Sequence, residues 1–176
     1  FQVTRTAGID SERETVFSLV RDFRKWPQWS PWLIAEPDCA LTFRDDGDGY
    51  SWDGKFIGAG SIRVTSETGK DQLDLELSFL RPYKSVSTVR FDFSDRNGGT
   101  EVAWSMNSSL PVFLFWMKDL MVGMLSMDYD RGLRMLKDLA ELGSVPSMLE
   151  CGPETFAGCS YLGIRSSSHF DEIGVA

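Results

Sequence analysis

The sequence predicts an α+β domain: a curved antiparallel sheet of about seven strands wrapped around one long C-terminal helix, with two short helices closing one end. Three observations predict it. Residues 39–110 alternate apolar and polar side chains with period two, clearest where Leu73, Leu75, Leu77 and Phe79 are set against Asp74, Glu76 and Ser78; this is the pattern of half-buried antiparallel strands. After Pro111 the period lengthens to that of a helix and holds to about Leu142. Between these regions and the first strand, the segment Trp26–Trp32 places three indoles and two prolines within seven residues. Pro disfavours helical geometry in the residue before it and removes a donor, so the indoles cannot share one face of a regular helix and are expected to wall a concavity.

Each element follows in order. Gln2–Ala7 reads as the first strand, and Asp10 or Ser11 is placed to cap a helix through Val16, Phe17, Leu19 and Val20, which the Trp segment ends. Six further strands centre on alternating sets such as Tyr50, Trp52 and Phe56; Ile62 and Val64; Val89, Phe91 and Phe93; and Val102, Trp104 and Met106. Turn chemistry separates them at Asp46-Gly47-Asp48-Gly49, Gly58-Ala59-Gly60, Gly69-Lys70-Asp71, Arg81-Pro82 and Asn97-Gly98-Gly99. The last helix runs from Val112 to Gly143, a C′ glycine with Pro146 beyond it. Its first half is apolar almost all round, which requires cover on more than one side. Its second half narrows to Tyr129, Leu133, Leu136 and Leu139 or Ala140.

Composition narrows the function classes. At 176 residues, with 42% hydrophobic and 25% charged, the chain fits one soluble domain with a tail. A formal charge of −8 argues against nucleic acid and anionic membrane surfaces as partners, because both need a basic footprint. The apolar run Pro111–Met117 stops at Lys118-Asp119, far short of the roughly 20 residues of a membrane span. Cys39, Cys151 and Cys159 form no metal or redox spacing and read as reduced thiols of a cytoplasmic protein.

Four stretches carry a family likeness: Asp22-Phe23 through Trp26 to Trp32; Tyr50-Ser51-Trp52-Asp53-Gly54; Gly99-Thr100-Glu101-Val102-Ala103-Trp104-Ser105-Met106; and Met127-Asp128-Tyr129-Asp130-Arg131-Gly132-Leu133 with Leu136-Lys137 behind it. They span residues 1–143 and resemble the helix-grip (SRPBCC, START-like) superfamily, in particular its polyketide cyclase/dehydrase and lipid-transport branch. The resemblance implies a deep apolar cavity between helix and sheet, used in relatives for sterols, lipids, hormones or aromatic polyketides. Some relatives are enzymes and many only bind. After a linker at 144–154, residues 155–176, with Tyr161-Leu162-Gly163-Ile164-Arg165 and Asp171-Glu172-Ile173-Gly174, look like the opening strand and turn of a GyrI-like effector-binding domain, which would make the chain a piece of a two-domain protein.

Catalytic constellations are thin. The single histidine, His169, falls in the tail, so no His-dependent triad or metal site is expected in the main domain. Asp45, Asp46 and Asp48 lack the spacing of a calcium loop, and Gly58-Ala59-Gly60 lacks that of a dinucleotide site. No metal and no cofactor are expected. Met106, Met117, Met121, Met124 and Met127 read mainly as adaptable core filler. The reading favoured is a binding module for a hydrophobic small molecule (lipid, polyketide-like or aromatic), walled by Trp29, Trp32, Trp52, Phe79, Phe91, Trp104, Met106, Phe113, Met117 and Met121. One alternative is a cyclase or dehydratase in the same cavity, with Tyr50, Arg63, Arg81 and Tyr83 as the polar groups to inspect. A second is an interaction module in which the Trp segment and Phe113–Trp116 form an exposed patch.

Overall fold

A computed structural model describes residues 1–109 and 118–146. The period-two segments are strands: β1 (Gln2–Ile9), β2 (Ala40–Phe43), β3 (Gly49–Asp53), β4 (Ala59–Thr68), β5 (Gln72–Arg81), β6 (Ser85–Arg96) and β7 (Gly99–Asn107). They form a single antiparallel sheet in the order β1-β7-β6-β5-β4-β3-β2, so each of β2 to β7 pairs with its sequence neighbour and β1 returns to flank β7. Register shifts at Ala59/Gly60 and Val64/Ser66 bend β4 against β5, the way bulges add local twist and curvature.

Helix α1 (Arg13–Arg21) follows β1, a 3₁₀ helix covers Phe23–Gln28, α2 covers Pro31–Ala35 and α3 covers Lys118–Leu142. Helix α3 lies chiefly along β1 and touches α1 and α2. It ends at Gly143, whose positive φ of 75° no β-carbon-bearing residue adopts cheaply and whose N–H donates to Leu139 O at 3.0 Å. This is the helix-grip fold. No described helix is long and apolar enough to cross a membrane.

Burial explains the placement. Val16, Phe17 and Val20 turn one face of α1 onto the sheet, where Phe17 meets Phe93 edge-on at 5.3 Å. Leu73, Leu75, Phe91 and Val102 of the sheet and Leu133 and Leu136 of α3 are fully or almost fully buried. At the outer end Arg13 pairs with Asp71 and Asp95, and Arg21 with Asp48 and Glu67, pinning α1 to strand ends and turns. Such half-exposed pairs fix position more than they stabilise.

Several expectations change. The residue before α1 is Glu12, and neither Asp10 nor Ser11 caps it; the Asp10 N–H donates to Glu141 and the Ser11 carbonyl accepts from Thr100. Phe56 is 88% exposed in the loop after β3 rather than alternating with Trp52. The early turns of α3 are not covered all round: Leu120, Met124 and Met127 are exposed, so Met124 and Met127 are not core filler. The expected helix start at Val112, the residues Phe113 to Met117, His169 and the tail 155–176 lie outside the described residues.

Candidate functional site

The Trp segment works as a plug in one end of the curved sheet. Trp26 Nε1 donates to Val20 O at 2.7 Å and Trp29 Nε1 to Leu19 O at 3.2 Å, so both indoles are tied back to the last turn of α1. Trp29 is wholly buried and meets Phe91 and Trp104 edge-on at 6.4 and 5.8 Å. Its seat on Phe91 takes both rings out of any open space.

Beside the plug, α3 and the sheet enclose a cavity of about 360 Å³. Trp26, Trp32 and Leu33 line it from the plug, Tyr50 and Trp52 from β3, Leu77 and Phe79 from β5, Val89 from β6, and Trp104 and Met106 from β7. Helix α3 supplies Met121, Met124, Leu125, Asp128 and Tyr129. Tyr83, 42% exposed, and Met124, 55% exposed, mark a mouth between the β5–β6 turn and the early turns of α3. Four serines give the wall a polar strip: Ser85, Ser87, Ser108 and Ser109, with Ser87 Oγ and Ser108 Oγ 2.8 Å apart.

Of the residues expected from sequence, Trp32, Trp52, Phe79, Trp104, Met106 and Met121 meet at this cavity. Trp29 and Phe91 lie behind its wall at 0% exposure, stacked into the core rather than facing the space. Phe113 and Met117 lie outside the described residues. Sequence reasoning missed Trp26 and Tyr129 as wall residues, and did not carry Tyr50 into the pocket list. Strand alternation with Trp52 could have added Tyr50, and the buried helical stripe could have added Tyr129.

Trp104 is the hub of the wall. It stacks on Phe91 (4.9 Å, 25°) and on Tyr129 (4.0 Å, 19°), and Trp32 meets it at right angles at 5.9 Å. Gly132 makes the close approach of α3 feasible, since a β-carbon there would stand 2.8 Å from Trp104 Cζ3 and 3.2 Å from Pro31 Cδ.

The ionisable groups of the wall are few. Burial pushes the Tyr50 phenol well above its ordinary range. The Tyr129 phenol is likewise raised by burial. Both phenols therefore stay protonated near neutral pH. Asp128 is half-buried and is the one carboxylate on the described wall. Arg63 pairs with Glu76 and Arg81 with Asp53 on the exposed face, and Tyr83 stands at the mouth. The acidic turn is tied up by arginines, Asp46 by Arg44 and Asp48 by Arg21. Among the described residues no three metal-ligating side chains cluster. Burial raises the Cys39 thiol, which disfavours the nucleophilic thiolate.

Glu36 shapes the wall from outside. Its carboxylate accepts the backbone N–H groups of Lys55 (2.5 Å), Phe56 and Ile57 (both 3.0 Å), and Ile57 reaches the cavity. The Ile57 N–H, ahead of those of Lys55 and Phe56, holds Glu36 below the usual carboxylate range against the cost of burial.

Known proteins share this architecture. DynU16, a protein of the dynemicin biosynthetic locus, superposes with a TM-score of 0.59 at 17% identity over 82% of this chain, and the chain spans about half of that protein, 48%. MLL2253 from Mesorhizobium loti gives 0.61 at 14% identity, covering 79% of this chain and 96% of its own. CV1439 from Chromobacterium violaceum gives 0.60 at 12%, covering 80% and 96%. At these identities the likeness is one of fold. A comparison with curated proteins returns no match. Residues 1–141 match the family described as polyketide cyclase/dehydrase and lipid transport, and the chain belongs to that family.

Proposed function

We propose that the domain binds a hydrophobic, ring-containing small molecule in the cavity beneath α3, for sensing, transport or sequestration. The observation that carries the reading is the cavity itself: about 360 Å³, walled by indole, phenol and phenyl rings together with aliphatic and Met side chains, with a mouth to solvent. Left empty, a void of that size would cost about 9 kcal/mol at roughly 24 cal/mol per Å³, comparable with the whole stability of a domain. Water or a ligand must occupy it, and apolar walls hold water poorly. A ligand would gain roughly 25 cal/mol per Å² of apolar surface removed from water, with edge-on and stacked ring contacts adding selectivity for planar ring systems.

Native mass spectrometry of the full chain, purified without detergent and then incubated with a panel of neutral aromatic and acyl compounds, tests the proposal. A mass increment that disappears on denaturation is the expected result; a bare mass with every compound would contradict it.

A cyclase or dehydratase acting in the same cavity is the second reading, and Asp128 favours it. Among the described residues its half-buried carboxylate is the one group on the wall placed to take a proton from a bound substrate while the phenols of Tyr50 and Tyr129 stay neutral. In that case Asp128→Asn would abolish turnover of a poly-β-ketone while leaving its binding in place. The interaction reading loses the Trp segment from its patch, because Trp26 and Trp29 are buried and Trp32 is half-buried, while Phe113–Trp116 lie outside the described residues.

A further inference from the structure

The two ends of the sheet differ in chemistry. The turns after β2, β4 and β6 lie at the α1 end, where Arg13 and Arg21 reach them, and antiparallel topology sends the turns after β3 and β5 to the other end, at the mouth of the cavity. The α1 end is acidic, with Asp45, Asp46 and Asp48 in one turn. The mouth end is apolar and basic. Phe56, after β3, is 88% exposed, and Leu80, Tyr83 and Val86 are exposed on the β5–β6 hairpin. These two turns are neighbours: Arg81 pairs with Asp53 and its Nη2 stands 3.4 Å from Gly54 O, while a β-carbon on Gly58 would fall 2.4 Å from Arg81 O. Met124 of α3, also exposed, lines the mouth with them.

Charge says what such a rim fits. Lys55 and Lys84 flank the apolar tips, both are exposed, and neither forms a salt bridge with a described residue. Lys55 also faces Glu36, but that carboxylate is buried and held by three backbone N–H groups. On the two turns Asp53 offsets one of Lys55, Arg81 and Lys84, which leaves a surplus of two positive charges on a chain of formal charge −8. The acidic end does not cancel them. Strands β4 and β5 have ten residues each, so the ends lie roughly 30 Å apart at about 3.3 Å per residue, beyond three Debye lengths of about 8 Å. A second copy of this chain would bring two like-charged rims together. An acidic polypeptide would satisfy the lysines and leave the protruding Phe56 without a role. A lipid interface takes both, since apolar tips dip below the headgroups while long lysine stems keep the ammonium groups at phosphate level.

We propose that the mouth rim docks on a phospholipid bilayer containing anionic lipid, with Phe56, Leu80, Tyr83 and Val86 entering the interface and Lys55 and Lys84 meeting the phosphates. The whole-chain charge, which argues against such a surface, is reversed locally at the rim. The docking does not depend on a ligand in the cavity.

Cosedimentation of the full chain, without added ligand, with vesicles of phosphatidylcholine alone or mixed with phosphatidylglycerol tests the proposal. Partition should be about tenfold stronger on the mixed vesicles, from two lysines near an anionic surface, and should weaken with salt. Joint Lys55→Glu and Lys84→Glu substitution should remove that preference. Phe56→Ser should weaken binding to both vesicles about tenfold, the size of one lost apolar anchor. Leu142→Ser, equally exposed but at the far end of α3, should change nothing. No binding to the mixed vesicles, equal binding to both kinds, or a loss in Leu142→Ser as large as in Phe56→Ser would overturn the proposal. So would binding lost with the lysines but kept in Phe56→Ser, which is the behaviour of an ionic contact with an acidic polypeptide, or a dimer in sedimentation velocity that Phe56→Ser dissolves. Should a variant not fold, the wild type in bicelles carrying a nitroxide lipid decides. Amide signals of 54–58 and 80–86 broadening ahead of those at the α1 end support docking, and uniform broadening overturns it. None of these outcomes bears on the cavity as a binding site.

Discussion

At the scale of single residues, the wall separates side chains that hold the fold from side chains that face the ligand. Trp104, 1% exposed and stacked between Phe91 and Tyr129, does both. Trp104→Ala is expected to cost about 3–5 kcal/mol by urea denaturation, the range for losing a large aromatic from a core. Trp32 is half-buried and touches Trp104 and Tyr129 only edge-on, so Trp32→Ala should cost less than half of that while weakening aromatic ligands. Equal stability losses would mean that Trp32 is core rather than wall. Glu36 gives a pH signature. Its folded pKa is lowered by the backbone N–H groups of the 55–57 loop, so its contribution is complete above the ordinary Glu value of about 4.3 and is lost as pH falls through the lower folded value. The stability gap between the wild type and Glu36→Gln should therefore be widest at neutral pH and close as the medium becomes strongly acidic. A gap that does not change with pH would refute the role.

At the scale of elements, α3 shows what a helical pattern conveys. The stripe Tyr129, Leu133, Leu136 and Leu139 was readable in sequence because period and burial coincide there. The earlier turns were not, because Leu120, Met124 and Met127 are apolar yet exposed, and apolar composition does not by itself fix burial. The two glycines of the helix separate packing from propensity. Around Gly123 an added β-carbon meets nothing within 4 Å, so Gly123→Ala should stabilise by up to about 1 kcal/mol through helix propensity alone. At Gly132 the same propensity gain is outweighed by the contact with Trp104 and Pro31, because overpacking costs about 1–3 kcal/mol and the stacked indole has little room to give. Gly132→Ala should therefore destabilise. Thermal melts of the two variants moving in the same direction would contradict this account of how α3 seats on the wall. Strand alternation likewise identified which face of the sheet is buried but not how deep each side chain sits. Phe91 and Trp104 share a face and pair across β6 and β7, yet Phe91, met edge-on by both Trp26 and Trp29, is covered while Trp104 lines the cavity, a difference that strand alternation does not record.

At the scale of the whole molecule, a sheet curved around one helix leaves more interior than its side chains fill, and the Trp plug closes one end while the β5–β6 turn and early α3 leave the other open. The fold was legible because seven alternating strands and a long helix admit few arrangements. The cavity's content was not legible, since unfilled space depends on distances between elements that no local pattern records. The most direct test of the binding account is isotope-edited nuclear magnetic resonance of the full chain with fluorene, reading intermolecular contacts from the ligand's ring protons. Contacts to the methyl groups of Leu77, Val89, Met106 and Leu125, all on the cavity wall, are the predicted result. Contacts confined to the exposed Leu120, Met127 and Leu142 would place the ligand on the outside of α3 and contradict it.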